Sequence, residues 1–310
     1  MTSITKVAIA GATGNLGVTI LEHLLDAGFQ VTVLTRQGSS HTFPSNATVK
    51  AVDYDSLDSL VDALRGQDAF ISNLGHAALL KQHLLIEAAI KAGVKRFIPS
   101  EFGSDTLNPK VAALPGYKEK IEIQKALKKA AAESGLTYTI ILCGPFLDWG
   151  VRVPFLVDVR NRTIELTEGG NRKTSVTTLP NVGKAVVGVL KHPEETKNRG
   201  VYIQDAAITG KELEEYLKKV VGADGWKENI TSVAEGLKQT EEELKKSAPN
   251  VGVVLVSSLK AAIWGEGYGG HFQKLDNDLL GIKQLSDAEI VDVLAKNVPK
   301  EGAVPDSTYL

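Results

Sequence analysis

Residues 6 to 17 read Lys-Val-Ala-Ile-Ala-Gly-Ala-Thr-Gly-Asn-Leu-Gly, a short apolar strand that runs straight into a turn with glycine at every third position. A helix follows at once. Gly11, Gly14 and Gly17 carry no Cβ, so an anionic ligand can approach the main chain there. The first amides of the helix add N–H donors and the positive end of its dipole. Thr13, Asn15 and Leu16 complete the turn. A glycine triplet alone is a weak signal, but its setting here is the required one. Val7, Ile9 and Ala10 form the strand, and Ile20, Leu21, Leu24 and Leu25 recur at helical spacing as far as Gly28. Such a unit implies a site for the pyrophosphate of a dinucleotide.

The same rhythm continues. Strands are expected near 6–10, 30–35, 48–52, 68–73, 95–99 and 137–143, and helices near 15–27, 56–65, 79–92 and 117–134. Val31 to Leu34, Ala69 to Ser72 and Tyr138 to Leu142 are apolar without alternation, as strands covered on both faces are. The fold class is therefore α/β, a doubly wound parallel-sheet Rossmann domain over residues 1–150, with its ligand crevice at the carboxyl ends of the strands. Beyond residue 150 helices dominate, near 181–191, 209–221, 232–247, 252–264 and 286–297, with short strands near 163–167, 174–178 and 200–204. Thr209 and Glu212 have the spacing of a capping box. Residues 151–310 are expected to form a smaller, mostly helical substrate-binding region, part of it returning to the sheet.

Composition narrows the function classes. The 310-residue chain is 43% hydrophobic with a net charge of −2, enough apolar material for a large core and no basic field, so nucleic acid is not an expected partner. No stretch has the length of a membrane span or the pattern of a signal peptide. The single cysteine, Cys143, cannot form an internal disulfide and lies in an apolar run, which points to a reducing, cytoplasmic setting. Six histidines form no metal-binding spacing, and no Gly-x-Ser-x-Gly elbow occurs. A small molecule is the expected partner, and a homodimer is compatible with the sequence.

Cofactor choice is set at the end of the second strand, which reads Leu34-Thr35-Arg36. A guanidinium cannot accept from ribose hydroxyls but pairs well with a 2'-phosphate, so NADP(H) is favoured over NAD. Ser39 and Ser40 can add hydroxyl donors. Asp53 either borders the adenine or begins a turn. The fourth strand ends Asn73-Leu74-Gly75-His76, where small residues let the backbone pass beneath a cofactor, and His76 reads as a loop residue. The fifth ends Pro99-Ser100-Glu101-Phe102-Gly103, where a nicotinamide is expected. Tyr117 and Lys120 then share one face of a helix. An ammonium beside the nicotinamide ribose and a substrate oxygen can donate a proton. Trp149, Trp264, Tyr268, His271 and Phe272 are candidates for an aromatic pocket, although aromatic residues in helices more often belong to the core.

Gly-Ala-Thr-Gly-Asn-Leu-Gly, Pro-Ser-Glu-Phe-Gly, Tyr-Lys-Glu-Lys and Gly-Pro-Phe together resemble the isoflavone-reductase-like and NmrA-like branch of atypical short-chain dehydrogenases. Pro180-Asn181-Val182-Gly183 and the stretch from Asn198 to Ile203 extend the likeness into the second half. The resemblance implies an NADPH-dependent reductase of phenolic, ether or enone-type aromatic metabolites. It also implies that Lys120 contacts the nicotinamide ribose and serves acid-base chemistry, and that Pro145 and Phe146 lie near the nicotinamide. The same branch includes redox sensors that bind NADP(H) without turnover and report to a protein partner, which is the alternative reading. The chain departs from the family pattern twice. Only His41 stands between Arg36 and Lys50 as a second basic group, and Tyr117 precedes Lys120 by three residues where the usual pair is four apart. Tyr117 is therefore not assigned the role of acid.

Overall fold

The computed structural model describes residues 3–299. Its framework is a seven-stranded, wholly parallel sheet. Six strands come from the first half: β1 (Lys6–Ala10), β2 (Gln30–Arg36), β3 (Thr48–Val52), β4 (Ala69–Ser72), β5 (Arg96–Ile98) and β6 (Thr137–Leu142). Five more follow: β7 (Val157–Asp158), β8 (Thr163–Thr167), β9 (Thr174–Val176), β10 (Arg199–Tyr202) and β11 (Ala206–Ile208), with β12 (Lys227–Thr231) last. The main sheet runs β10-β6-β5-β4-β1-β2-β3. Successive strands move outward from β1 in one direction and then, from β4, in the other. The crevice between β1 and β4 is thus the switch point where ligands of such sheets bind.

Side-chain alternation along buried strands separates two cores. Val7, Ile9, Ile71 and Ile98 face α1 (Asn15–Asp26), while Ala8, Ala10, Phe70 and Phe97 face α2 (Leu57–Leu64) and α3 (Gln82–Ala92). After the short α4 (Pro109–Ala112), the long α5 (Lys118–Ser134) joins the second face through Ile123 and Leu127. The short α6 (Leu147–Arg152) leads away from β6, and α7 (Leu179–Lys191) returns to lie along α1. Gly183 explains the close approach: a Cβ there would stand 2.9 Å from His23 Nδ1. At the other end of the sheet β10 extends it beyond β6, with Arg199 opposite Thr139 and Tyr202 opposite Leu142.

The remaining chain builds α8 (Gly210–Val221), α9 (Val233–Leu244), α10 (Val251–Trp264), α11 (Asn277–Leu280) and α12 (Asp287–Asn297). The Thr209–Glu212 capping box is present at the start of α8. Two small sheets, β12-β8-β7 and β11-β9, were not foreseen in full. β12 carries one apolar residue, Ile230, and its residues are largely exposed, so nothing in its pattern marks a strand. β7 and β11 are too short, at two and three residues, to show a period.

At the amino-terminal edge of the sheet, Asp68 accepts hydrogen bonds from Thr5 N (3.0 Å), Lys6 N (2.9 Å) and Lys95 Nζ (2.9 Å), tying the starts of β1 and β5 to the turn before β4. Partial burial pushes its pKa up, but the Lys95 ammonium and the two amides outweigh it and hold the carboxyl at about 2. A carboxyl held below its unfolded value contributes stability above that value and loses it as pH falls through the folded one. Asp68→Asn is therefore expected to lower the melting temperature at pH 6 and to flatten its fall between about pH 4 and pH 2, read by calorimetry across that range. An unchanged acid limb would dismiss this tie.

Candidate functional site

The first crossover is a contact of main chain with main chain. Gly11 has φ +77°, and a Cβ on it would stand 2.0 Å from the Asn73 carbonyl oxygen. A Cβ on Gly17 would stand 2.0 Å from the Gly11 carbonyl oxygen, so α1 starts directly against the turn. The end of β4 closes the other side: Asn73 N donates to the Ala10 carbonyl (3.0 Å) and Asn73 Nδ2 to the Gly11 carbonyl (3.2 Å). Gly14 differs from its two companions. A Cβ there would meet the Gly11 carbonyl oxygen at 3.6 Å and Asn73 Nδ2 at 3.9 Å, both ordinary contacts, and the residue is exposed. It is the N-cap of α1, where no side chain caps the helix and no acidic residue occupies the first turn. The amides and the positive dipole end are thus left facing outward, the arrangement that suits a phosphate.

Two clefts open from this turn. A cleft of about 540 Å³ lies between the carboxyl ends of β1, β2 and β3, with Gly11, Thr13, Arg36, Ser39, His41 and Asp53 among its lining residues. Arg36 is exposed at the end of β2. Asp53 both borders this cleft and begins the turn, accepting from Asp55 N at 2.9 Å. Tyr54 is also in the wall, its hydroxyl donating to the Leu34 carbonyl at 3.0 Å, and burial pushes its pKa up to about 12 against the opposing charge of Arg36. Lys50 does not reach this cleft; its ammonium points to the Ala63 carbonyl at the end of α2. Lys81 lines the cleft instead, brought there by the 3₁₀ turn His76–Lys81 after β4. Sequence reasoning missed Lys81 because it lies 45 positions from Arg36 and only the sheet order makes them neighbours.

A second cleft of about 260 Å³ gathers Leu16, Asn73, Leu74, His76, Ser100, Glu101, Phe102, Lys120 and Phe146. Leu74 belongs to both walls, so the two clefts meet there. Gly75 lies between two lining residues and is exposed; Pro145 precedes the lining Phe146, is buried, and accepts from Thr177 N at 3.1 Å. The floor is heavily braced. Ser100 Oγ bonds Ser72 Oγ (2.9 Å) and accepts from Leu74 N (2.9 Å), while Ser100 N donates to the buried Gln82 Oε1 (2.9 Å). The Glu101 carboxylate is buried and turned into the protein, accepting from Gln124 Nε2 (2.8 Å) and Thr106 Oγ1 (2.9 Å). What Glu101 offers the cleft is its carbonyl, which accepts from Lys120 Nζ. Phe102 follows at φ +30°, a left-handed conformation unusual for a bulky residue and held by this bracing.

Tyr117 lies outside both clefts. Its hydroxyl donates to Ser104 Oγ (2.7 Å) inside a small core with Val111, Leu114 and Ala261, and burial pushes its pKa up. Cys143 is fully buried, and burial pushes its thiol up as well. The five aromatic candidates separate: Phe272 packs edge-on to Tyr202, Tyr268 joins the Tyr117 core, Trp264 joins the core under α8, His271 lines neither cleft and accepts at its carbonyl from Gln273 Nε2 (3.0 Å), and Trp149 contacts a cleft residue, Phe146, at 6.4 Å between ring centroids. Among the described residues no cluster of His, Cys, Asp or Glu could hold a metal ion, and no helix is long and apolar enough to cross a membrane.

A seven-stranded parallel sheet with a switch-point crevice, a bare helix start and two joined clefts defines a Rossmann-type architecture. The chain belongs to the NmrA-like family, whose model matches residues 3–252. It is 36% identical over 297 residues to oxidoreductase aprR of Aspergillus flavus, covering 94% of this chain and 97% of that protein. It is 30% identical over 282 residues to phenylcoumaran benzylic ether reductase 1 of Arabidopsis thaliana, covering 82% and 85%. Its fold matches a crystal structure of isoflavone reductase with a TM-score of 0.75 at 20% identity, over 94% of this chain and 99% of that one. It also matches the leucoanthocyanidin reductase of Vitis vinifera in complex with NADPH, at 0.73 and 21%, over 93% and 99%.

The three glycines of the turn are expected to behave differently. Gly17→Ala forces a Cβ into the Gly11 carbonyl and should lower the melting temperature by many degrees, or abolish folding. Gly14→Ala should leave it within about 2 °C, since an exposed substitution without a clash costs a few tenths of a kcal/mol. Thermal denaturation of both variants decides; equal loss in the two would mean that Gly14 is also spent on packing.

Proposed function

We propose that this protein is an NADPH-dependent reductase that delivers hydride to a small aromatic or phenolic, ether or enone-type metabolite, with Lys120 as the proton carrier. The observation that carries the reading is the joining of the two clefts at Leu74, with Arg36 at the rim of one and Lys120 in the wall of the other. The residues fit the cofactor. Gly11 and Gly17 let strand, turn and helix start close on one another, exposed Gly14 leaves no Cβ between turn and ligand, the bare start of α1 suits a pyrophosphate, and Arg36 suits a 2'-phosphate. The names of the relatives, an oxidoreductase and a benzylic ether reductase, and the NADPH complex of the structural neighbour support the same class.

A bound dihydronicotinamide supplies the hydride. Asn73, Leu74, Ser100, Phe102 and Phe146 form the surface on which the ring and substrate are oriented, and the hydrogen bonds beneath Ser100 keep that surface rigid. As the substrate carbon gains its new C–H bond, the displaced electron pair moves to the substrate oxygen, which takes a proton from the Lys120 ammonium. The Glu101 carbonyl holds Nζ in the cleft wall, and Gln124 and Thr106 hold Glu101. The open cleft lets solvent return a proton to the amine. The substrate side is assigned to residues 151–299 apart from α7 and β10.

Following NADPH absorbance against a panel of quinones, enones and benzylic ethers tests the assignment. Turnover by the purified protein is expected, and Lys120→Ala should reduce kcat by about 100-fold or more while NADPH binding persists. Arg36→Ala should weaken NADPH by about tenfold more than NADH in fluorescence titrations. Binding without turnover of any panel member would favour a sensor, and full turnover by Lys120→Ala would remove that residue from the mechanism.

A further inference from the structure

The adenosine-end cleft has two walls that face each other and come from distant parts of the chain. One is the turn after β3, with Asp53, Tyr54 and Asp55; the other is the 3₁₀ turn after β4, with Ala78 and Lys81. A single ion pair, Lys81 Nζ to the Asp55 carboxylate, joins them. Both ends of this bridge are anchored from the interior. Asp55 N donates to Asp53 Oδ1 (2.9 Å), Asp53 N donates to Ser59 Oγ (3.0 Å), and the Tyr54 hydroxyl pins the turn to the Leu34 carbonyl. Lys81 is followed by Gln82, which is buried, bonds the Leu79 carbonyl (3.2 Å) and accepts from Ser100 N. The pair itself is exposed, with Lys81 and Asp55 side chains 42% and 74% accessible.

We infer that Lys81 and Asp55 form a clasp that retains the adenosine moiety of a dinucleotide by holding the two walls of its cleft together. This deepens the function proposed above and rests on it. The remaining charged or titratable groups that line the cleft are Arg36, His41, Asp53 and the Tyr54 phenol. The charges of the clasp cancel, so it has no preference for the extra phosphate of NADPH; that preference belongs to Arg36. Two consequences separate the clasp from a direct Lys81–phosphate contact. Retention serves phosphorylated and unphosphorylated cofactor alike. Removing the Asp55 charge loosens the ligand, whereas a phosphate contact or simple charge balance would have it tighten NADPH.

The test is the dissociation rate and Kd of NADPH and NADH, read by stopped-flow and equilibrium fluorescence on the full chain, for wild type, Lys81→Ala, Asp55→Asn, the double variant, the charge-exchanged Lys81→Asp/Asp55→Lys protein, and Arg36→Ala. Each clasp single variant is expected to speed release of both nucleotides by about two- to fivefold, the range an exposed pair can supply. The double variant should be no faster than the singles, and charge exchange should restore slow release. Salt at 0.5 M should narrow the gap between wild type and single variants. Tighter or unchanged NADPH binding in Asp55→Asn overturns the clasp, as does an effect of Lys81→Ala confined to NADPH. Failure of the wild type to bind either nucleotide would overturn the proposed function and the clasp together. Intact wild-type binding with unchanged clasp variants overturns the clasp alone.

Discussion

The contact of the Gly11 backbone with the Asn73 carbonyl, reinforced by Asn73 Nδ2 on the Gly11 carbonyl, is the constraint from which the rest of the site follows. It sets how closely the ends of β1 and β4 approach at the switch point. That spacing then fixes the start of α1 through Gly17, the position of Leu74, and through Leu74 N the Ser100 hydroxyl at the end of β5. The glycine turn and the wall that holds Lys120 are therefore parts of one hydrogen-bonded assembly. Backbone atoms make most of it, and their positions depend on the strands and not on surface side chains.

The central sheet was legible because its signals are local. Short apolar runs reflect burial on both faces, helices follow most of the strands, and glycines such as Gly93 and Gly135 close helix ends in the left-handed conformation, so each can be read without knowing the others. Ser100, Phe102, Asn73 and Leu74 were legible as neighbours because the ends of parallel strands must converge on one crevice, whereas Lys120 and Phe146 were carried by the family resemblance. The structure brings them into one wall. Tyr117 illustrates the limit. Its spacing from Lys120 gives no direction for the ring, which packs into a core made with α10, more than 130 positions away.

What stayed hidden depends on long-range packing. Gln82, Gln124 and Thr106 carry no motif, and their value lies in the buried groups they satisfy, Ser100 N and the Glu101 carboxylate. A polar residue inside a helix has the same sequence signature whether it faces water or a buried partner. The aromatic residues of the second half separate for a related reason: each is apolar enough for any core, and only the final packing decides which one it enters.

The way α7 and β10 rejoin the sheet restricts how such a chain can be divided. α7 supplies the cover for α1, and β10 supplies the neighbour of β6. A fragment ending near residue 150 would leave an apolar helix face and an unpaired strand edge open to other molecules, a condition that favours aggregation. The half that carries the glycine turn is therefore not a cassette that can be exchanged between relatives by a single crossover. Any recombination that preserves folding has to carry those later segments with it.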